Sequence, residues 1–293
     1  MRLLPILGIL AVSTNLQCQP QADFNRQPVS EEVFATIADH YGYDQSQPLD
    51  TSVIGVWPHR RPYIIEKVEF SSINNERVPA YFTYPKNSIF SLTTRHPAVL
   101  LLHGANDFWG KNEDWSLEWM DILAREGWCV LVADFYGFGE RKKAGQKPQW
   151  WGSGSYIQAV TDQRRGIDFL FSRPEVDTTK VALMGGSMGG YFGTFVAGLE
   201  SRFTTVVLTV TGTSSVGATD DALHRFRHIL NFAPRVSAPV LMVNATGDGR
   251  PFGEELYNAM PEPKQQIWYE SEHYLPPREY NEDILNWLHE HLD

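Results

Sequence analysis

Gly185-Gly186-Ser187-Met188-Gly189 is the segment of this chain with the most chemistry in it. It fits G-x-S-x-G, with the apolar run Val181 to Met184 directly before it and an Ala/Gly-rich helical stretch directly after. A sharp strand-to-helix turn of this kind holds its central residue in a strained backbone and needs small neighbours, because a Cβ would clash. It also presents the central side chain at the positive end of a helix. A serine hydroxyl becomes a nucleophile only when a base takes its proton, so a histidine must lie in reach and an acid must orient that histidine.

His273 is the histidine best placed for that work. It stands in Glu270-Ser271-Glu272-His273-Tyr274, after the strand expected at Gln266 to Tyr269 and before the last helix. His40, His59, His289 and His291 lie in the N-terminal segment or the terminal helix and read as surface or packing residues. His103 opens His103-Gly104-Ala105 at the end of the strand AVLLL and reads as a support for loop shape. His224 and His228 are spaced as two zinc ligands on a helix would be, but Arg225 stands where H-E-x-x-H needs Glu, so no metal is expected. For the acid, Asp248 in Thr246-Gly247-Asp248-Gly249-Arg250 follows a strand one before His273. Asp220 and Asp221 are its rivals, and Glu272 is too near His273 in sequence to face its ring.

These residues need a scaffold that delivers each to one side, and the hydrophobic pattern supplies it. From about residue 60, short β-branched runs alternate with helix-length amphipathic segments, the signature of a parallel sheet flanked by helices. Strands are expected at Tyr63 to Phe70 and Arg77 to Tyr84, an antiparallel pair forming one edge of the sheet. Six more follow at Ala98 to Leu102, Trp128 to Ala133, Val181 to Met184, Thr205 to Val210, Val240 to Asn244 and Gln266 to Tyr269. Helices are expected at Trp115 to Glu126, Tyr156 to Ser172, Met188 to Leu199, Ala222 to Leu230, Gly253 to Ala259 and Asn281 to His291. Sheets of this kind bind ligands outside the carboxyl ends of their strands. Two long connections, Gly137 to Ser155 and Thr211 to Pro234, lie on that side as candidate lids.

The order Ser187, Asp248, His273, each just past an expected strand, resembles the α/β-hydrolase superfamily over roughly residues 60 to 293. The resemblance is nearest to its esterase and dienelactone-hydrolase-like branch, on Tyr84-Pro85-Lys86, His103-Gly104-Ala105, Asp134-Phe135-Tyr136-Gly137-Phe138-Gly139-Glu140 and the Gly-Gly-Ser-Met-Gly-Gly turn. It implies an α/β-hydrolase fold with a mostly parallel central sheet of about eight strands and helices on both faces. Dienelactone hydrolases carry Cys as nucleophile, and Ser187 in its place points toward carboxylic esters.

By that family's mechanism Ser187 attacks an ester carbonyl, His273 relays the proton, and Asp248 holds the imidazole. The oxyanion would be met by the backbone N–H groups of Met188 and Ala105. Substrate-binding candidates from loops on the same face are Asn106, Trp109, Trp150, Trp151 and Tyr191, with Asp107 and Phe108 beside them. The expectation is a serine carboxylesterase acting on small or medium acyl esters through an acyl-enzyme. A peptidase or amidase of the same fold and a non-catalytic ligand-binding member are the alternatives. No cofactor and no metal are called for, and the expected partner is a small-molecule ester.

Composition agrees with an enzyme of this size and excludes other classes. The chain has 293 residues and 25 basic against 35 acidic side chains, a formal net charge of −10 with no basic stripe, so nucleic acid is not an expected partner. The densest basic patch, Arg141, Lys142, Lys143 and Lys147, reads as a solvated loop. The two cysteines, Cys18 and Cys129, are far apart and lack ligand spacing, so neither a disulfide framework nor zinc is expected; Cys129 lies in an apolar run and reads as core. No oligomeric state is specified.

Three regions are expected: a leader at 1–20, an N-terminal extension at 21–60 packing on the main domain, and the catalytic domain at 61–293. Arg2 precedes an apolar run from Leu3 to Val12, the length of a secretory h-region and too short to span a bilayer. A secreted or periplasmic protein is the expectation, with no transmembrane span. Lipid anchoring at Cys18 is a lesser alternative, since Asn15 and Gln17 stand where a lipoprotein leader carries Leu and a small residue.

Overall fold

The computed structural model describes residues 27–57, 61–86, 94–106, 108–143, 153–213 and 228–293. The expected leader, Cys18, the pair Trp150-Trp151, Lys147, His59, His224 and the rivals Asp220 and Asp221 lie outside them.

Chain order builds one nine-stranded sheet. Its strands are β1 (Ser52–Trp57), β2 (Tyr63–Ser71), β3 (Arg77–Pro85), β4 (His96–Leu102), β5 (Cys129–Ala133), β6 (Val176–Gly186), β7 (Thr205–Thr209), β8 (Val240–Ala245) and β9 (Lys264–Tyr269). The helices are α1 (Glu31–Asp39), α2 (Asp114–Arg125), α3 (Ser153–Ser172), α4 (Met188–Leu199), α5 (Arg250–Ala259) and α6 (Pro277–Leu292). Strand order is β1-β2-β3-β5-β4-β6-β7-β8-β9. The first three strands pair antiparallel, as does β3 with β5, and every pairing from β5 through β9 is parallel.

The parallel half forms because its strands are apolar on both sides. β5 reads Cys-Val-Leu-Val-Ala and all five residues are buried, as a central strand covered by helices on both faces requires. Cys129, expected in the core, is buried there, and burial pushes its thiol well above the usual range. β2 alternates buried and half-buried residues, as a strand nearer the edge should.

Side chains alternate across the sheet, so the core divides in two. On one face Val206 and Leu208 of β7 pack with α3, α4 and α5 through Phe169, Phe195 and Leu256. On the other Val207 of β7 packs with α2 and α6 through Trp119, Leu123, Ile284 and Leu288.

Two expectations on organisation need correction. The hairpin of β2 and β3 is not the sheet's edge: β1 pairs outside it, which makes nine strands in place of about eight. β1 escapes a periodicity search because it has no buried face. Val53, Ile54 and Val56 are about half exposed, Gly55 interrupts the run, and the register shifts between Val53 and Gly55. Its place is set by backbone pairing with β2.

Of the basic patch, Arg141 is not a solvated side chain, while Lys143 is exposed. Arg141 is buried, paired with Asp162 and with Glu76 at 3.3 Å, and donates to the Asp134 carbonyl at 3.4 Å. Of the helix expected at Ala222 to Leu230, residues 222–227 lie outside the described ones, and a 3-10 turn at Ile229–Asn231 covers its last two.

Candidate active site

The carboxyl ends of β6, β8 and β9 bring three side chains together. β6 ends at Gly186, α4 starts at Met188, and the residue between them, Ser187, is held at φ 54°, a left-handed conformation that costs a non-glycine residue energy. The turn is so tight that a Cβ on Gly189 would overlap the Leu102 carbonyl, and one on Gly185 would overlap the Gly189 carbonyl. Two backbone bonds lock it: Ser187 N–H donates to Thr209 at 2.9 Å, and its carbonyl accepts from Tyr191 at 2.9 Å.

His273 Nε2 lies 3.0 Å from Ser187 Oγ, and His273 Nδ1 lies 2.7 Å from Asp248 Oδ1. A carboxylate can only accept, so Nδ1 carries the proton and Nε2 is left as an acceptor facing the hydroxyl. The loops bearing the acid and the imidazole are tied to each other, because Gly247 N–H donates to the Ser271 carbonyl at 2.9 Å. The pair keeps a side open to water, with 45% of the His273 side chain and 26% of the Asp248 side chain exposed.

Behind Ser187 the segment from β4 to α2 is fixed by buried polar groups. His103 is fully buried; its Nδ1 donates to the Gly104 carbonyl at 2.7 Å and its Nε2 accepts from Phe135 N–H at 3.0 Å. Burial holds its pKa below the ordinary value, so the ring is neutral with the proton on Nδ1. A trans peptide points its C=O and N–H in opposite directions. With the Gly104 carbonyl turned to His103, the Ala105 N–H points away from it, and Ala105 lines the same cavity as Ser187. The Gly104 N–H donates to the Glu113 carboxylate, which also accepts from Ser116 Oγ at 3.0 Å.

Lys111 anchors the far end of this segment although it is fully buried. Its Nζ reaches Asp134 Oδ2 at 2.7 Å and Glu140 Oε1 at 2.5 Å, while Asp134 Oδ1 accepts the Lys111 N–H at 2.8 Å. Gly110 and Gly139, both at positive φ, press against the Asp134 carboxylate where no Cβ would fit.

Among the described residues a cavity lies on each face of the core beside the site, and the two meet at Ser187, Val210 and His273. One, of about 430 Å³, opens on the face of α3, α4 and α5 and is walled by Tyr156, Met188, Tyr191, Phe192 and Phe252. The other, of about 410 Å³, opens on the face of α2 and α6 and is walled by Glu113, Trp115, Glu118 and Tyr280. Val210, between them, stands at φ 44°, a rare conformation for a β-branched residue; it ends β7 one residue earlier than expected.

Of the expected binding residues among the described ones, Tyr191 lines a cavity and Asn106 and Trp109 line neither. Asn106 uses its side-chain oxygen to accept from Phe108 and Trp109 N–H at 3.2 and 3.1 Å, so it caps its own loop. Trp109 is 61% exposed and lines neither cavity. Trp150 and Trp151 lie outside the described residues. The walls contributed by Tyr156, Phe192, Phe252, Glu113 and Glu118 were not anticipated: they sit inside helices or at helix starts, where the pattern signals packing or solvent. Among the described residues no group of His, Cys, Asp and Glu is arranged to hold a metal, and no helix is long and apolar enough to cross a membrane.

Comparisons with known proteins agree with this architecture. The model of the dienelactone hydrolase family matches residues 78–259. The chain is 25% identical over 170 residues to Putative hydrolase YtaP of Bacillus subtilis (strain 168), covering 53% of this chain and 55% of that one. It is 26% identical over 162 residues to Dipeptidyl aminopeptidase BIII of Pseudoxanthomonas mexicana, covering 52% of this chain and 22% of that one. The chain thus spans about half the length of the first of these curated relatives and under a quarter of the second. Among solved structures, an acetyl xylan esterase from Paenibacillus sp. R4 superposes with a TM-score of 0.72 at 18% identity, over 91% of this chain and 98% of that one. A cold-adapted esterase from an Arctic intertidal metagenomic library gives 0.67 at 20% identity, over 83% and 100%. At these identities the likeness is one of fold, that of the α/β hydrolases.

Proposed function

The chain belongs to the dienelactone hydrolase family, and from that premise we propose that it is a serine hydrolase cleaving carboxylic esters of small or medium acyl groups. The observation that carries the reading is the relay from Asp248 Oδ1 through His273 to Ser187 Oγ, with steps of 2.7 and 3.0 Å. Ser187 Oγ attacks the ester carbonyl while Nε2 takes its proton, and Asp248 stabilises the imidazolium that forms. The oxyanion is met by the N–H groups of Met188, at the start of α4, and of Ala105. The tetrahedral adduct collapses as Nε2 returns the proton to the departing alcohol, leaving an acyl-Ser187. Water repeats the cycle from the other side and frees the acid.

The ester class is supported by the Ser in the nucleophile position and by the open, water-accessible site. The esterases among the structural neighbours are consistent with it. Export in a mature form without residues 1–20 belongs to the same proposal.

The test is fluorophosphonate labelling of the full chain with peptide mapping, alongside turnover of short-chain p-nitrophenyl esters. Modification confined to Ser187, and a fall in kcat of about 10⁴-fold or more in Ser187→Ala, are expected. Turnover retained in Ser187→Ala overturns the mechanism, and faster cleavage of dipeptide amides than of esters overturns the substrate class.

A further inference from the structure

The two cavities beside Ser187 differ in charge. The one on the α3, α4 and α5 face carries no charged side chain except Asp248, which belongs to the relay. The one on the α2 and α6 face is lined by three carboxylates, Glu113, Asp114 and Glu118, and by no lysine or arginine. None of the three pairs with a cation among the described residues.

A second observation places an unmet polar group in the same cavity. Thr209 ends β7 on the side of the sheet that faces α2 and α6: Thr205, two pleats back, accepts from Trp287 Nε1 of α6 at 2.7 Å. Thr209 is fully buried, lines this cavity, and its Oγ1 has no hydrogen-bond partner. That oxygen lies against Gly186, whose missing side chain leaves the space that Trp115 also borders. A buried hydroxyl without a partner is costly, and a ligand group able to bond it removes the cost.

Acceptor oxygens on the rim, an orphan hydroxyl at the floor and the rings of Trp115 and Tyr280 together suit one kind of guest. We infer that the cavity on the α2 and α6 face is a subsite for an ammonium group on the ester substrate, so that the preferred esters are positively charged. An ammonium donates N–H groups to the carboxylates and to the Thr209 oxygen, is attracted by the net negative lining, and is favoured over aromatic faces. A neutral hydroxylated chain would use the hydrogen bonds but leave three carboxylates without a counter-charge. The inference rests on the ester reading above.

The experiment compares kcat/KM of the full chain for esters matched in heavy-atom count. 5-Ammoniopentyl acetate is set against hexyl acetate and 5-hydroxypentyl acetate, and methyl 6-ammoniohexanoate against methyl heptanoate. One ammonium ester should exceed its isosteres by about tenfold at low salt, the product of partly exposed ion pairs that each contribute a factor of roughly 1.5 to 5. Which pair shows the preference reports which half of the ester occupies the cavity. The ratio should shrink several-fold as salt is raised from about 0.01 to 1 M, over which the screening length falls from about 30 to 3 Å. It should also shrink in the double variant Asp114→Asn/Glu118→Gln, with Glu113 kept because it holds Gly104.

Equal or faster turnover of the hydroxyl or alkyl esters overturns the inference, as does a preference that salt does not touch. Binding of n-hexylammonium against 1-hexanol, measured by calorimetry, reads the cavity without turnover. Ammonium binding in a protein that cleaves no ester leaves the subsite standing and removes the ester reading.

Discussion

Replacing Lys111 with Met tests whether the buried ion cluster holds the segment that carries Ala105. Lys111 and Asp134 are both fully buried, at 2.7 Å, and Glu140 completes the cluster at 2.5 Å with 37% of its side chain exposed. Met fills the volume of the lysine stem but leaves the Asp134 carboxylate buried with only the N–H groups of Lys111 and Glu140 as partners, at 2.8 and 3.1 Å. Glu140 can turn to Lys67, which already meets it at 2.5 Å, so the uncompensated charge is that of Asp134. Removing one partner of a buried pair costs about 3–5 kcal/mol. At about 2–4 °C per kcal/mol for domains of this scale, the expected fall in Tm is roughly 6–20 °C. The double variant Lys111→Met/Asp134→Asn removes the stranded charge and should recover about half of the loss, a non-additivity that a double-mutant cycle followed by thermal and urea unfolding reads directly. A fall in Tm under about 3 °C for Lys111→Met, or strict additivity in the cycle, would refute the claim that this pair anchors the segment.

Gly189→Ala places a methyl against the Leu102 carbonyl, where neither strand nor helix can give; a loss of about 2 kcal/mol or more is expected by urea unfolding, with ester turnover falling as α4 shifts. His103→Gln can serve either the Phe135 N–H or the Gly104 carbonyl but not both. Its kcat should therefore fall about tenfold with KM little changed, as one oxyanion donor loses its fixed direction. The same residue gives a pH signature. Burial lowers the folded pKa of His103 below 6.5, so the unfolded chain binds more protons; the stability of the neutral ring is full above about 6.5 and is lost as pH falls from there toward the folded pKa. The stability gap between wild type and His103→Gln should thus narrow between pH 7 and 5, and a gap independent of pH would contradict a neutral buried ring. Tyr191→Ala opens the apolar cavity, and the ratio of octanoyl to acetyl ester turnover should rise about tenfold in a chain-length series.

How far the site was legible follows from where its signals lie in the chain. Ser187, Asp248 and His273 each sit just past an apolar run, and a parallel sheet sends all such positions to one end, so local pattern and fold rule together place them side by side. The hairpin of β2 and β3 and the six strands from β4 through β9 were legible for the same reason, being apolar runs bounded by turns. β1 was not, because an exposed edge strand with Gly55 inside has no pattern of its own and exists through pairing with β2.

The binding walls were misread for a related reason. Aromatics in loops, such as Trp109, are candidates because their loops follow strands on the binding side. Yet a loop aromatic has no element behind it to aim it, and Trp109 stands in solvent. Tyr156, Phe192 and Phe252 are carried by helices that the sheet holds in place, and so they form a wall. The charged residues show the converse. Arg141 looked like a solvated side chain, but Asp162 waits for it across tens of residues, as Asp134 does for the buried Lys111, and no local pattern contains such pairings. The alternation of β7 has the widest consequence: Val206 and Leu208 face one core, Val207 and Thr209 the other. One pleat therefore separates an aromatic cavity from an acidic one, and Ser187 stands where the two meet.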